Sequence, residues 1–441
     1  MLKKNISTIW LYISCVIFPL AVAIPLNFVT MDGEFSQWII PYFSGAENTR
    51  WFSQWEYSVS DQNDFLAASR REKVFWNFKK IQEGDLNQYN FNDVGYLYIV
   101  KVARFLMPSL PGILSVMILQ AVFHILSCLF VLFCLGKLKI PIPYGFAFII
   151  LYAANPLILY YVTSPFYFSW QIVPSLLWVW YFSSKPSRSS VYFLIVVLLV
   201  GILSFLLRPT TIIPTASLAA FIVFNKNRKA LLFLLPLATI AVFAALPKVA
   251  SKLPWHPMYV GLGAYGGFGV PSLDDNVSYD VFFQKTGREV VTSVPGYSWN
   301  DDGFRKDFYA FIKNEYLKKI VSNPWLAIRN SFYNMLQSIG IGHRPYNTWI
   351  NAVSALIGTL LIGFYILTGN KSMLAALLLT SVGYAAYFPP IPAYNFGMYV
   401  LNVFGVVYGL EGISYRKIEG GRDHRLKLLA GGDNGEGEHN A

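Results

Sequence analysis

Long apolar runs separated by short basic turns dominate the chain. The first, at about 7–26, follows Lys3 and Lys4; others lie at about 110–136, 142–162, 166–182, 190–207, 209–224, 230–248, 348–368, 372–388 and 396–413. Each is near the roughly 20 residues needed to cross a bilayer as a helix. Two long stretches interrupt the series, about 27–109 and 249–347, and both are polar yet rich in Trp, Phe and Tyr. Such a composition suits helices lying at the membrane surface, with their rings at headgroup depth.

One apolar run is ambiguous. "VGYLYIVKVARFLMP" repeats at helical spacing, yet it carries Lys101 and Arg104 and stops at Pro108. Loop charge decides its place, because basic residues collect in cytoplasmic loops. If this run crossed the bilayer, "GKLK", "SSKPSR", "NKNRK" and "GNK" would all face outward. If it lies along the interface, all of them face inward. The pattern therefore predicts an all-α integral membrane protein of about ten transmembrane helices. Interfacial helices lie in the first external loop, a second large external loop follows, and both termini are cytoplasmic. Residues 1–416 form one polytopic unit, and the polar tail 417–441, ending in "AGGDNGEGEHNA", is expected to be disordered. In the second loop, Phe304, Phe308, Phe311 and Ile312 recur at helical spacing and predict an amphipathic helix that hugs the membrane surface.

Composition strengthens this picture. Of 441 residues 55% are hydrophobic and only 13% charged, about half the charged share of soluble domains. The net charge of +11 is scattered in short clusters between apolar runs, so it reads as an orientation signal and not as a nucleic-acid surface. The three cysteines, Cys15, Cys128 and Cys134, all lie within apolar runs, and no disulfide framework is expected.

The predicted layout gathers polar groups at the external mouths of the spans. Asp32 and Glu34 occur in "NFVTMDGEF", just beyond the first span, and Asp93 precedes the interfacial helix. Tyr167, Gln171, Arg208, His343, Arg344 and Tyr394 sit at other mouths. An external arginine runs against the positive-inside bias, which sets Arg208 apart from an ordinary snorkelling anchor. The inner face shows no phosphate-binding glycine loop. A group-transfer enzyme working outside would need a donor delivered through the bilayer, cations for its phosphate, and a carboxylate to take the acceptor's proton.

Plainer readings fit several other features. His124 reads as a packed histidine within a span, and His256 as an interfacial hydrogen-bonder. "GLGAYGGFG" reads as a tightly turning loop, and Asp274, Asp275 and Asp280 as solvated acids.

The order of segments resembles the GT-C glycosyltransferases, polytopic enzymes that transfer sugars from polyprenyl-phosphate carriers and include protein O-mannosyltransferase and aminoarabinose transferase relatives. The likeness is carried by "MDGEF", the interfacial "NDVGYLYIVKVARFLMP", "CLGKLK", "YAANPLILYYVTSPFYFSW", "SFLLRPT" and "WHPMYVGLGAYG". Where many relatives open the interfacial helix with His-Pro-Pro, this chain has Asn92-Asp93-Val94.

The resemblance implies a transferase in the plasma (inner) membrane, acting on its outer face. Its partners would be a polyprenyl-phosphate-linked sugar and a lipid, glycan or protein acceptor, with no nucleic acid involved. Asp32 would be the catalytic base, assisted by Glu34. Arg208, Arg344 and His343 would bind the donor phosphate, and Asp93, Tyr167, Gln171 and Tyr394 the substrates. Some relatives hold a divalent cation such as magnesium or manganese and others work without one; "DGE" leaves both open. Two other classes fit a polytopic chain: a polysaccharide polymerase or ligase, which predicts essential arginines and no essential acid in the first loop, and a flippase or transporter, which predicts charges near the bilayer centre and repeated halves.

Overall fold

The computed structural model describes residues 2–29, 94–110, 112–164, 166–184, 190–208, 211–226, 255–290, 301–385 and 388–430. Among the described residues all regular structure is helical. The chain begins with α1 (Leu2–Val29), α2 (Val94–Leu106) and α3 (Gly112–Lys137), then α4 (Ile142–Phe148) and α5 (Pro156–Thr163). A 3₁₀ turn, Tyr167–Ile172, leads into α6 (Val173–Ser184), followed by α7 (Ser190–Leu207) and α8 (Ile212–Lys226). After these come α9 (Trp255–Gly261), α10 (Asn276–Thr286), α11 (Asp302–Ser322) and α12 (Pro324–Ile339). The last three are α13 (Thr348–Leu367), α14 (Lys371–Ala385) and α15 (Pro392–Ala430).

Among the described residues four helices are long and apolar enough to cross a membrane unaided: Ile6–Ala23, Leu114–Lys137, Thr348–Leu367 and Pro392–Glu411. A bent pair, Ile142–Ala153 and Pro156–Thr163 at 53° to each other, makes a fifth if the two pieces cross together. The bend has a local cause. Pro156 has no N–H to donate and would clash with a carbonyl one turn back. The chain instead opens into a π turn over Ile149–Ala153 and restarts at Asn155, whose side chain accepts from Leu157 N at 2.9 Å. Shorter apolar helices fill Tyr192–Leu207, Ile212–Val223 and Lys371–Gly383, and the expected span 166–182 is a 3₁₀ turn followed by α6. The expected span 230–248 lies outside the described residues.

The helices enclose one large core, in which Trp178, Tyr152, Phe148, Phe168, Phe396 and Phe404 are fully buried. Outward-facing residues are also apolar: Ile9, Trp10, Leu199, Ile202, Leu203 and Leu360 are each more than half exposed. A surface of this size and polarity suits hydrocarbon and not water, so the chain is a membrane protein.

The amphipathic α11 differs from expectation. Its apolar residues Phe304, Phe308 and Ile312 are buried against Tyr259, Leu262, Phe268 and Phe282 of the α9–α10 region. Protein, not lipid, covers that face, and α9–α11 form a small cap with its own core. Glu315 clamps the cap's rim: burial alone would raise its carboxyl, but hydrogen bonds from Lys285 and Lys318, both at 3.0 Å, hold it below the usual range. α15 continues through the polar sequence to Ala430, leaving only 431–441 of the tail undescribed. Arg, Lys, Glu and Leu in "YRKIEGGRDHRLKLLA" are good helix formers and extend a helix already nucleated in the membrane.

Candidate functional site

Arg208 ends α7. Its backbone N–H donates to Ser204 O at 2.8 Å, and its carbonyl accepts from the Thr211 hydroxyl at 2.7 Å, fixing a short turn into α8. The guanidinium carbon stands 4.5 Å from the centre of the Tyr167 ring and 5.4 Å from that of Tyr394. A cation on two electron-rich ring faces is held by roughly 0.5–2 kcal/mol per contact. Stacking engages the flat faces of a guanidinium, whereas phosphate and carboxylate are bound at its N–H edge.

Each ring is placed by identifiable contacts. Tyr167 is buried in the 3₁₀ turn, edge-on to Tyr96 of α2 at 6.5 Å. One turn further on, the buried Gln171 donates from Nε2 to Ala393 O at 3.0 Å, tying the turn to the start of α15 and so to Tyr394. Gln120 of α3 accepts from the Tyr96 hydroxyl at 2.9 Å and donates to Val162 O and Ser164 O, at and just beyond the end of α5. α2 meets α7 at Gly95, where a Cβ would come within 2.8 Å of the Leu206 and Leu207 backbone. Only glycine lets the two helices approach so closely at the turn that carries Arg208.

Four of the expected residues thus come together: Tyr167, Gln171, Arg208 and Tyr394. Asp32, Glu34 and Asp93 lie outside the described residues. Arg344 is exposed, and its backbone N–H donates to Asn351 Oδ1 at 2.6 Å.

His343, expected to bind the donor phosphate, is enclosed by protein. Its side chain is 1% exposed, and burial lowers its pKa to about 4. Burial thus favours the neutral imidazole. Gln337 Nε2 faces Asn351 O at 3.3 Å, which turns Gln337 Oε1 toward His343 Nδ1 at 2.9 Å. Nδ1 accordingly carries the proton, and Nε2 presents a buried lone pair with no hydrogen-bond partner among the described residues. The His343 backbone N–H donates to Pro390 O at 2.8 Å, joining this turn to the approach to α15, two residues before Pro392.

A polar network around His343 went unread in the sequence. The Tyr265 hydroxyl reaches across from the cap to lie 2.6 Å from Asn334 Oδ1 and 2.9 Å from Gln337 Oε1, and burial raises its pKa. It arrives there on the expected tight loop, which uses positive φ at Gly266, Gly267 and Gly269. Asn395 and Asn402 continue the network into α15, buried and seven residues apart on one face of an apolar helix. That spacing was the available signal.

The remaining polar clusters are structural. Ser278, His256 and Asp275 stand in hydrogen-bonding sequence, with Oγ to Nδ1 at 2.6 Å and Nε2 to Oδ1 at 3.2 Å. Ser278 is fully buried within α10, however, so its hydroxyl is closed to a substrate. Asp274 accepts from Asn276 N at 2.9 Å, a turn-stabilising contact. His124 is buried in α3 with Nε2 at 3.0 Å from Ala153 O, where the π turn exposes a carbonyl. Among the described residues no cluster of three His, Cys, Asp or Glu side chains is placed to hold a metal ion.

No family model, curated protein or solved structure matches the chain.

Proposed function

We propose that this protein is a multi-pass membrane glycosyltransferase of GT-C type, moving a sugar from a polyprenyl-phosphate donor to an envelope acceptor on the extracytoplasmic side. In this reading ten spans place both termini in the cytoplasm. Asp32 removes the proton from the acceptor hydroxyl and the oxygen attacks the anomeric carbon. The bond to the lipid phosphate breaks, and the sugar is transferred with inversion. Glu34 assists, and Arg208 neutralises the departing phosphate. Arg344, exposed close by in sequence to the His343 turn, remains a second phosphate candidate.

The single observation that carries this reading is the Arg208 guanidinium between Tyr167 and Tyr394. A cation fixed on aromatic faces where several helix ends converge suits a phosphate headgroup whose lipid tail stays in the bilayer. A polymerase or ligase would share the arginine but not the need for Asp32.

The test compares glycolipids, polysaccharides and envelope proteins by mass spectrometry from cells with the wild-type chain, with Asp32→Asn, and without the protein. The expected outcome is a pentose or hexose mass present only with the wild-type chain. A sugar-dependent product that survives in correctly inserted Asp32→Asn moves the assignment to the polymerase or ligase class, and identical profiles in all three strains remove the transferase reading altogether.

A further inference from the structure

Tyr346 holds a backbone conformation that suits few side chains. Arg344 O accepts from Asn347 N at 3.2 Å, Pro345 takes the second position of the turn, and Tyr346 at the third has φ 59°. Such a turn ordinarily places glycine or asparagine there, because a Cβ crowds the following carbonyl in the left-handed region. The turn is also rigid. The buried Asn351 accepts from Arg344 N at 2.6 Å and donates from Nδ2 to Arg344 O at 2.9 Å, and Asn347 Oδ1 accepts from Ile350 N at 3.0 Å.

The side chains that this strained turn displays point away from the protein. Tyr346 and Trp349, three residues apart, are each 77% exposed, and Arg344 beside them is exposed as well. The Tyr346 hydroxyl meets Leu273 O at 3.4 Å, too long a contact to offset the strained backbone. Trp349 heads the outward stripe of α13, which runs on through Ala352, Leu356 and Leu360. α13 is one of the helices long and apolar enough to cross a membrane, and its 20 residues, Thr348–Leu367, match a hydrocarbon layer about 30 Å thick. Trp349 then lies about 13 Å from the middle of the layer, at its edge. Tyr and Trp rings favour that depth, and an arginine just beyond it can offer its N–H edge to phosphate.

We infer that the turn 344–349 is a headgroup anchor: Tyr346 and Trp349 sit at the boundary between acyl chains and headgroups, and the Arg344 guanidinium pairs with a phosphate there. The occupant is the phospholipid that surrounds the protein, because Trp349 continues the stripe that acyl chains cover along the rest of α13. A polyprenyl donor would offer the same phosphate chemistry, and the test separates the two sources. The inference holds whatever reaction the Arg208 cluster serves.

The first experiment uses full-length protein in vesicles of phosphatidylcholine and phosphatidylglycerol. Single cysteines Tyr346→Cys, Trp349→Cys and Leu360→Cys each carry a bimane; all three side chains are exposed, and the native thiols are buried. A nitroxide on the lipid headgroup should quench the first two labels at least about twofold more than a nitroxide at mid-chain, with Leu360→Cys showing the reverse order. Quenching at 346 and 349 that does not favour the headgroup nitroxide, or is absent with both, overturns the anchor. The second experiment concerns the phosphate. Arg344→Gln should lower the unfolding midpoint by about 1–2 °C in phosphatidylglycerol nanodiscs and leave it unchanged in digalactosyl-diacylglycerol, which has no phosphate. Equal midpoint changes in the two lipids, including none in either, overturn the pairing. So does a change in the galactolipid that appears on adding polyprenyl monophosphate, which would make Arg344 part of the donor's seat.

Discussion

Replacing His343 by Gln should remove a measurable part of the protein's sensitivity to acid. Burial holds the imidazole at about 4 in the folded chain, against 6.5 for an unperturbed histidine. The folded state thus resists a proton that the unfolded state accepts. The associated stability is complete above pH 6.5 and is lost as the pH falls toward 4; below that both states are protonated and nothing more is lost. At about 1.36 kcal/mol per unit the full loss is about 3 kcal/mol, of which about 2 kcal/mol has gone by pH 5. Glu315 acts in a separate window. Its carboxyl is held below 4.5, so its contribution is present above 4.5 and is lost only as the pH falls further. The assay is thermal unfolding in nanodiscs at pH 7, 6 and 5 for the wild type and His343→Gln. Gln can keep the hydrogen bond to Gln337 and does not titrate. The wild-type midpoint should fall by several degrees more than the variant's between pH 7 and 5. Parallel curves would refute the claim that His343 is buried and neutral.

Three further changes probe other contacts. Gly358→Ala should separate α12 from α13 and cost about 1–3 kcal/mol as a lower unfolding midpoint, while Gly363→Ala, with nothing within 4 Å of the added Cβ, should be neutral; equal effects would contradict the close approach. Tyr265→Phe should lose about 1–2 kcal/mol and speed hydrogen exchange through 262–290, because one hydroxyl ties the cap loop to Asn334 and Gln337; unchanged exchange would show that the cap does not depend on it. Arg208→Lys keeps the charge but loses the planar stack on Tyr167 and Tyr394, so sugar transfer should fall about 10²-fold at unchanged expression; wild-type transfer would detach Arg208 from the reaction.

Much of the helical layout was legible because it rests on one-dimensional signals. Among the described residues, apolar runs near bilayer length, ended by Pro or by basic turns, are largely helical, since an unpaired backbone in hydrocarbon is too costly. The tight turn of "GLGAYGGFG" was likewise local, set by residues that tolerate positive φ, whereas the bend at Pro156, inside the expected span 142–162, follows from a missing N–H. The meeting of Tyr167 with Tyr394 is not local. It depends on Gln171 bonding to Ala393 across 222 positions of sequence, and no periodicity encodes that pairing.

His343 shows the same limit from the other side. As a residue next to Arg344 at a predicted span mouth it reads as a cation, but its charge is decided by burial and by Gln337. α11 and α12 complete the contrast. Hydrophobic spacing establishes that each helix has an apolar face, but not what covers it. For α11 the cover is the cap's own aromatic core; for α12 the protein takes the polar face and leaves the apolar one outside. The sequence by itself determined that this chain is a helical membrane protein with polar groups at its span ends. Only the tertiary structure decided which of those groups meet, which are charged and which way α12 faces, because these depend on burial and long-range hydrogen bonds between segments far apart in the chain.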